Sequence, residues 1–164
     1  MKSPITLAAI AALALTACGT KNASSPQQAD TDADTGATTL YASMLGQWSI
    51  ENVVINDTLY ARPAEISPGD IQYINFNNDS TFSINTNCNM MAGQYVIHGD
   101  SIRMENISIT EMACDNMLVE ELLCKVLPSV NIIDMENDSI TRLNTPDSGY
   151  IVLRRSPVEV KSAD

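Results

Sequence analysis

Four cysteines and one histidine are the residues of this 164-residue chain best suited to chemistry. A thiolate can attack an electrophile, ligate a soft metal or pair into a disulfide. Cys88 lies in the stretch TNCNMMAGQY (86–95), Cys114 closes Glu111-Met-Ala-Cys114, Cys124 lies in Leu122-Leu-Cys-Lys125, and Cys18 follows Leu15-Thr-Ala17. No two of them form the C-x-x-C pair that zinc and redox sites use. His98 stands beside Gly99 and reads as a solvated turn residue rather than a general base. No G-x-S-x-G, H-E-x-x-H or phosphate-binding glycine loop is present. Met90-Met91 offers soft sulfur of the kind copper takes, but adjacent methionines read first as core or strand-edge residues. Arg154-Arg155 reads as the polar end of a last strand. The 20 Asp and Glu residues could supply acid–base pairs, yet nothing in their spacing selects one. No catalytic residue, metal or cofactor is therefore expected.

Cys18 has a different context. Lys2 supplies a positive start, and an apolar run from Ile5 to Leu15 follows. That run is too short to cross a bilayer, which takes about 20 apolar residues, but it has the form of an export signal over residues 1–17. Leu15-Thr16-Ala17-Cys18 resembles the lipobox of bacterial lipoproteins. The resemblance implies cleavage before Cys18, diacylglycerol on its sulfur and acylation of its new amino group. More than one acyl chain gives stable anchoring. Gly19 stands where Asp favours inner-membrane retention in Gram-negative lipoproteins, which points towards the outer membrane.

Residues 18–39 comprise the lipidated cysteine and an acidic tether, lacking aromatics and large aliphatics until the domain begins. Asp30, Asp32 and Asp34 suggest a calcium loop, but the sixth and twelfth positions hold Thr35 and Tyr41 instead of Gly and Glu. One domain is expected over 40–156, with a tail over 157–164. Nucleic acid is not an expected partner: without Lys2, eight basic residues face 20 acidic ones.

The elements that must position the cysteines are short strands. Ile55-Asn-Asp-Thr-Leu59, Asn77-Asn-Asp-Ser-Thr81, His98-Gly-Asp-Ser-Ile102 and Glu136-Asn-Asp-Ser-Ile140 each place Asn or Gly, Asp, then Ser or Thr between apolar runs. Such stretches predict hairpin turns, and Pro146-Asp-Ser-Gly149 predicts a fifth. Between them, Ile74 and Phe76, Phe82 and Ile84, Ile102 and Met104, Ile107 and Ile109, and Ile151 and Leu153 alternate with period two, as in an antiparallel sheet with one buried face. One segment has helical spacing. From Asp115 to Leu127, residues Val119, Leu122, Leu123, Val126 and Leu127 share a face. Asp115 could cap its start, Lys125 suits its end, and Pro128 stops it. Cys124 falls at the edge of the apolar face, where a buried free thiol is common.

The cysteine stretches resemble a known family. Cys88-Asn89-Met-Met-Ala-Gly93-Gln-Tyr95 is similar to the C-N-x-x-x-G-x-Y signature of META-domain proteins, the HslJ-like envelope lipoproteins. Thr110-Glu-Met112-Ala113-Cys114 is similar to their T-x-M-A-C, and Glu120, Leu123 and Leu127 match the helix that follows. Gly46-Gln-Trp48 and Leu153-Arg-Arg155 match the opening and closing strands. Asn87 replaces the usual glycine before C-N, and Asn also tolerates the left-handed conformation. The resemblance implies a mainly β fold: a small antiparallel β-barrel or strongly curved sheet, covered by one amphipathic helix. In an exported domain the cysteines tend to pair. A Cys88–Cys114 disulfide ranks first, with Cys124 free. Cys88–Cys124 remains an alternative, and Cys114–Cys124 would need to span roughly 15 Å of helix.

The functional expectation is a non-enzymatic, membrane-anchored envelope lipoprotein with an accessory or binding role in envelope stress tolerance. The alternatives are a small barrel binding an apolar ligand, or an inhibitor of an envelope-targeting hydrolase such as lysozyme or a protease. The partners expected are the membrane, through the lipid, and an envelope protein or apolar ligand.

Overall fold

All five turn signatures join consecutive antiparallel strands. The computed structural model describes residues 39–56 and 58–156. Helix α1 spans residues 39–44. It leads into β1 (Gly46–Asn56), β2 (Leu59–Ala61), the short α2 (Pro63–Ile66), β3 (Tyr73–Phe76), β4 (Thr81–Asn85), β5 (Met90–His98) and β6 (Ser101–Ile109). Helix α3 (Leu118–Val126) and a 3-10 turn (Leu127–Ser129) precede β7 (Ile132–Asn137), β8 (Ile140–Asn144) and β9 (Tyr150–Arg155). The predicted side chains make the turns. Asn56 Oδ1 accepts from the Thr58 and Leu59 amides at 3.0 Å each. Asn137 Oδ1 accepts from Ser139 and Ile140 at 2.9 and 3.0 Å. Asp79 accepts from the hydroxyl and amide of Thr81, which holds its carboxyl below the usual carboxylate range.

The sheet is antiparallel throughout its nine strands, in the order β2-β1-β3-β4-β5-β6-β7-β8-β9, and β1 also pairs with β9. β1 is long enough to serve two neighbours on one edge: its first four residues pair with β3 and its last with β2. Its other edge pairs with β9 from Trp48↔Arg155 to Val54↔Tyr150. The ring closes there. It is a strongly curved sheet rather than a regular barrel, because β6 and β7 share a single register pair, Ser101↔Ile132. The Ile102 amide donates to the Asn131 carbonyl across that joint, and Ile133 donates to Asp100.

The period-two residues line the interior: Ile74, Phe76, Phe82, Ile84, Ile102, Met104, Ile151 and Leu153 are all buried. Helix α3 adds Val119, Leu122, Leu123 and Val126 to the same core. Helix α1, which the sequence did not predict, closes another part of it. Tyr41 stacks on Tyr95, with ring centroids 6.2 Å apart, and the Trp48 indole donates to the Met44 carbonyl at 2.8 Å. Arg155 is more than the polar end of a strand: its guanidinium lies 4.2 Å from the Trp48 ring centre and donates to the carbonyls of Ser43 and Leu45.

Several expectations need correction. Helix α3 starts at Leu118, not Asp115, and Met117 occupies its N-cap without a side-chain bond. Asn116 Oδ1 receives the Leu118 amide instead. Pro128 does not end the helix abruptly; it is accommodated early in a tightened 3-10 turn, where its missing amide costs no bond. Two short helices accompany α3, so it is not the single helix of the domain. Cys124 is exposed rather than buried. Ile107 is half-buried against the core, and Ile109, opposite buried Met91 at the last position of β6, stays on the inner face but is 38% exposed. A bulge carries the inward row from Met104 across to Ile107: Ala92 faces Ser108 but Gln94 faces Glu105. The extra residue reverses the alternation, and Asn106 takes φ 53° to make it. Cys18, residues 1–38 and the tail beyond Ser156 lie outside the described residues.

Gly93 sits opposite that bulge. A Cβ there would meet the Glu105 carbonyl oxygen at 2.7 Å and the Phe82 ring at 2.7 Å. Backbone cannot yield as a flexible side chain would. Gly93→Ala should cost about 1–3 kcal/mol of stability by urea unfolding, whereas alanine at Gly99, outside the motif, meets no neighbouring atom and is strained only by its φ of 61°.

Candidate functional site

The motif residues converge on the junction between the β4–β5 connection and the segment from β6 to α3. The sulfurs of Cys88 and Cys114 are bonded, with Cα atoms 6.0 Å apart. This is the pairing ranked first. Asn89, beside Cys88, is 1% exposed. Its Nδ2 donates to the Met112 carbonyl and to Glu120 Oε1, each at 2.9 Å. Its Oδ1 accepts from the Thr110 hydroxyl at 2.7 Å and the Met112 amide at 2.8 Å. A primary amide has two N–H donors and two oxygen lone pairs. All four are used, on two segments distant from it in sequence, the 110–112 connection and helix α3.

Two threonines complete the cluster. Thr86 Oγ1 accepts from the Cys88 and Asn89 amides and lies 2.8 Å from the Asn89 carbonyl and 3.0 Å from Glu120 Oε2, so its one proton serves one of these acceptors at a time. Thr110 Oγ1 accepts from the Met90 amide at 3.1 Å. Glu120 is 3% exposed on α3, and its two oxygens meet Asn89 and Thr86. A buried carboxylate is tolerated only with such partners. The cluster therefore ties the first turn of α3 to two sheet connections. Thr86 was missed in the sequence; a threonine three residues before a buried Asn, bonding local amides, is the signal that could have marked it.

The remaining motif residues have plain roles. Tyr95 is buried, donates to the Asn77 carbonyl at 2.6 Å and meets Phe76 edge-on at 5.1 Å. Burial, then its bond with Tyr41, raises its phenol well above the usual tyrosine value. Met112 contributes its backbone, and its side chain is 58% exposed. Ala113 is exposed beside it. Asn87 does not use the left-handed conformation. Its side chain instead donates to the Asn116 carbonyl at 2.8 Å and accepts from Gln72. Met91 is core and Met90 is 57% exposed.

Little of this could do chemistry on a substrate. The cysteines are joined, and the polar atoms of Asn89 are saturated by the protein. Cys124 is a separate, exposed thiol, pushed above its usual value by partial desolvation against the helix surface and then by Glu120 and Glu121. It should react with iodoacetamide more slowly at pH 7 than an ordinary exposed thiol, and gain rate as the pH passes the usual thiol range; alkylation followed by mass tests this. Exposed His98 lies in an open groove of about 420 Å3 at the β6–β7 joint, beside Arg103 and Asn131. Among the described residues no group of three His, Cys, Asp or Glu is placed to hold a metal. The interior lined by Ile50, Ile84, Leu123, Leu127, Leu143 and Leu153 leaves no room for even a water. An apolar ligand has no space to occupy among those residues.

Comparison with known proteins adds the following. The family model described as META domain matches residues 42–157. An NMR structure of a protein from Burkholderia xenovorans is similar to this chain at a TM-score of 0.59 and 16% identity, over 84% of this chain and 98% of its own. A crystal structure of a DUF4847 family protein from Bacteroides vulgatus is similar at 0.50 and 14%, over 74% and 98%. At these identities the likeness is one of fold. No curated protein matches the chain.

Proposed function

This chain belongs to the META-domain family, and from that premise we propose that it is a non-enzymatic, lipid-anchored accessory protein of the bacterial cell envelope, held at the outer membrane through Cys18. The observation that carries the non-enzymatic reading is Asn89, whose four hydrogen bonds all stay within the protein. The motif most typical of the chain is spent on holding α3 to the sheet. What remains for function is surface, presented on a tether, and a role in envelope stress tolerance fits such a module. Metabolic labelling with an alkyne fatty acid, followed by membrane fractionation, tests the anchor. Wild type should carry label and sediment with outer membrane, and Cys18→Ala should lose the label. Unlabelled, soluble wild-type protein would overturn it.

A second reading is inhibition of an envelope-targeting hydrolase such as lysozyme or a protease. It is favoured by large apolar side chains, Met90 and Met112, standing 57% and 58% exposed beside a disulfide. A formal charge of −11 would draw in a basic enzyme such as lysozyme. Lysozyme turnover with the protein in excess decides it: unaffected rates set the reading aside, and inhibition lost in Met112→Asp supports it.

A further inference from the structure

The outer face of β1 carries a cleft that shares no residue with the stapled motif. Asn52, Val54, Asn56, Tyr60, Arg62 and Tyr150 line a space of about 210 Å3. Register explains its make-up. Val53 points into the core, so its neighbours Asn52 and Val54 face outward. Val54 pairs with Tyr60 on one side and Tyr150 on the other. It is only 5% exposed although it lies outside the central core, as a residue between two aromatic neighbours would be.

Each tyrosine lies under a cation. Arg62 sits 5.4 Å from the Tyr60 ring centre and Arg142 sits 5.3 Å from that of Tyr150. Both cations are already matched, by Glu65 at 3.0 Å and Glu136 at 2.9 Å. Two polar atoms are not. Asn52 Oδ1 is buried and has no hydrogen-bond partner, and two strands along the same face Arg142 Nε is buried and unpartnered too. Val152, the residue across from Asn52, has no donor to give it.

We propose that this cleft binds a saccharide, with one pyranose ring lying over the Tyr60–Val54–Tyr150 surface and a hydroxyl or acetamido N–H donating to Asn52 Oδ1. A sugar ring has an apolar C–H face for aromatic side chains and a rim of donors and acceptors for amide and guanidinium groups. A free phosphate or carboxylate would need an unmatched cation, and both arginines are neutralised. A purely apolar ligand would leave the Asn52 oxygen buried and unpaired. A single ring suits the volume, and the cleft's open side allows the ring to belong to a longer glycan.

The fold is complete within the described residues, so a soluble, isotope-labelled form beginning at Gly19 serves for titration. The probes are the β-1,4-linked tetramer of N-acetylglucosamine and maltotetraose, each taken to about 10 mM to reach the weak end of specific affinity. With at least one of them, the Asn52 side-chain amide, the Arg62 Nε–H and the Tyr60 and Tyr150 ring signals should shift in a saturable way. Tyr60→Ala and Asn52→Ala, checked for an unchanged amide spectrum elsewhere, should each weaken that binding about tenfold or more. The absence of saturable shifts with both sugars overturns the proposal. So do shifts that lie outside the cleft or that survive both substitutions.

Discussion

Asn89→Asp should unfold the domain more easily by about 3–5 kcal/mol, the range for an uncompensated buried charge. One oxygen of the new carboxylate would replace Nδ2, which lies 2.9 Å from Glu120 Oε1 and 2.9 Å from the Met112 carbonyl. Two favourable contacts become oxygen–oxygen repulsions in a site 1% exposed. Among the described residues, no cation is a hydrogen-bond partner of Asn89, Thr86 or Glu120. Asn89→Ala loses the same bonds without adding charge, and should cost less, about 1–3 kcal/mol for the groups left unpaired. The two variants separate by pH. In Asn89→Asp the facing carboxylates raise the folded-state affinity for a proton, so its deficit shrinks as the pH falls and widens as the pH rises. The Asn89→Ala deficit lacks that added dependence. Urea unfolding of both variants across pH 4–8 (roughly the range over which carboxyls and their shifted forms titrate) would show the difference.

Removing the disulfide is the second large effect. Cys88 and Cys114 are 26 residues apart in sequence, and releasing a loop of that size restores unfolded-state entropy worth about 3–4 kcal/mol. The Cys88→Ser/Cys114→Ser variant should therefore unfold at a clearly lower urea midpoint, with the slope altered because its unfolded state is more extended. Hydrogen exchange should locate the loss. The staple closes the segment leading into α3, so amides of Leu118–Val126 should exchange faster, while the β1–β9 ladder should be affected less. The Asn89 cluster spans the same junction, so the effects of losing both should not add.

Much of the fold could be read from short-range chemistry. Asn56, Asp79 and Asn137 make turns because their side-chain oxygens bond the amides two or three residues on, a contact that needs no tertiary context. Ile74, Phe76, Phe82 and Ile84 are inward because alternation in a strand is strict until a bulge intervenes. The bulge at Asn106 was not itself legible, yet its extra residue is what lets odd-numbered Ile107 and Ile109 follow even-numbered Ile102 and Met104 onto one face. Helix α1 was missed for another reason. Six residues cannot display a helical period, and beyond the nearby Trp48 indole they are held by the distant Arg155. The Cys88–Cys114 pairing was reached through the resemblance and the length of the helix. The hub role of Asn89 was not visible, because its partners Met112 and Glu120 lie 23 and 31 residues away. The outer cleft was invisible for the same reason: Tyr60 and Tyr150 are neighbours only through β1.

The most direct measurement is a native-state thiol count on the protein from Gly19 onward, by alkylation and intact mass before and after reduction, with peptide mapping. One alkylated cysteine before reduction, mapped to Cys124, and three after it, with a Cys88–Cys114 cross-linked peptide, is the expected result. Three reactive thiols in the native protein, or a cross-link that includes Cys124, would contradict the staple and return the cysteines to redox or metal chemistry.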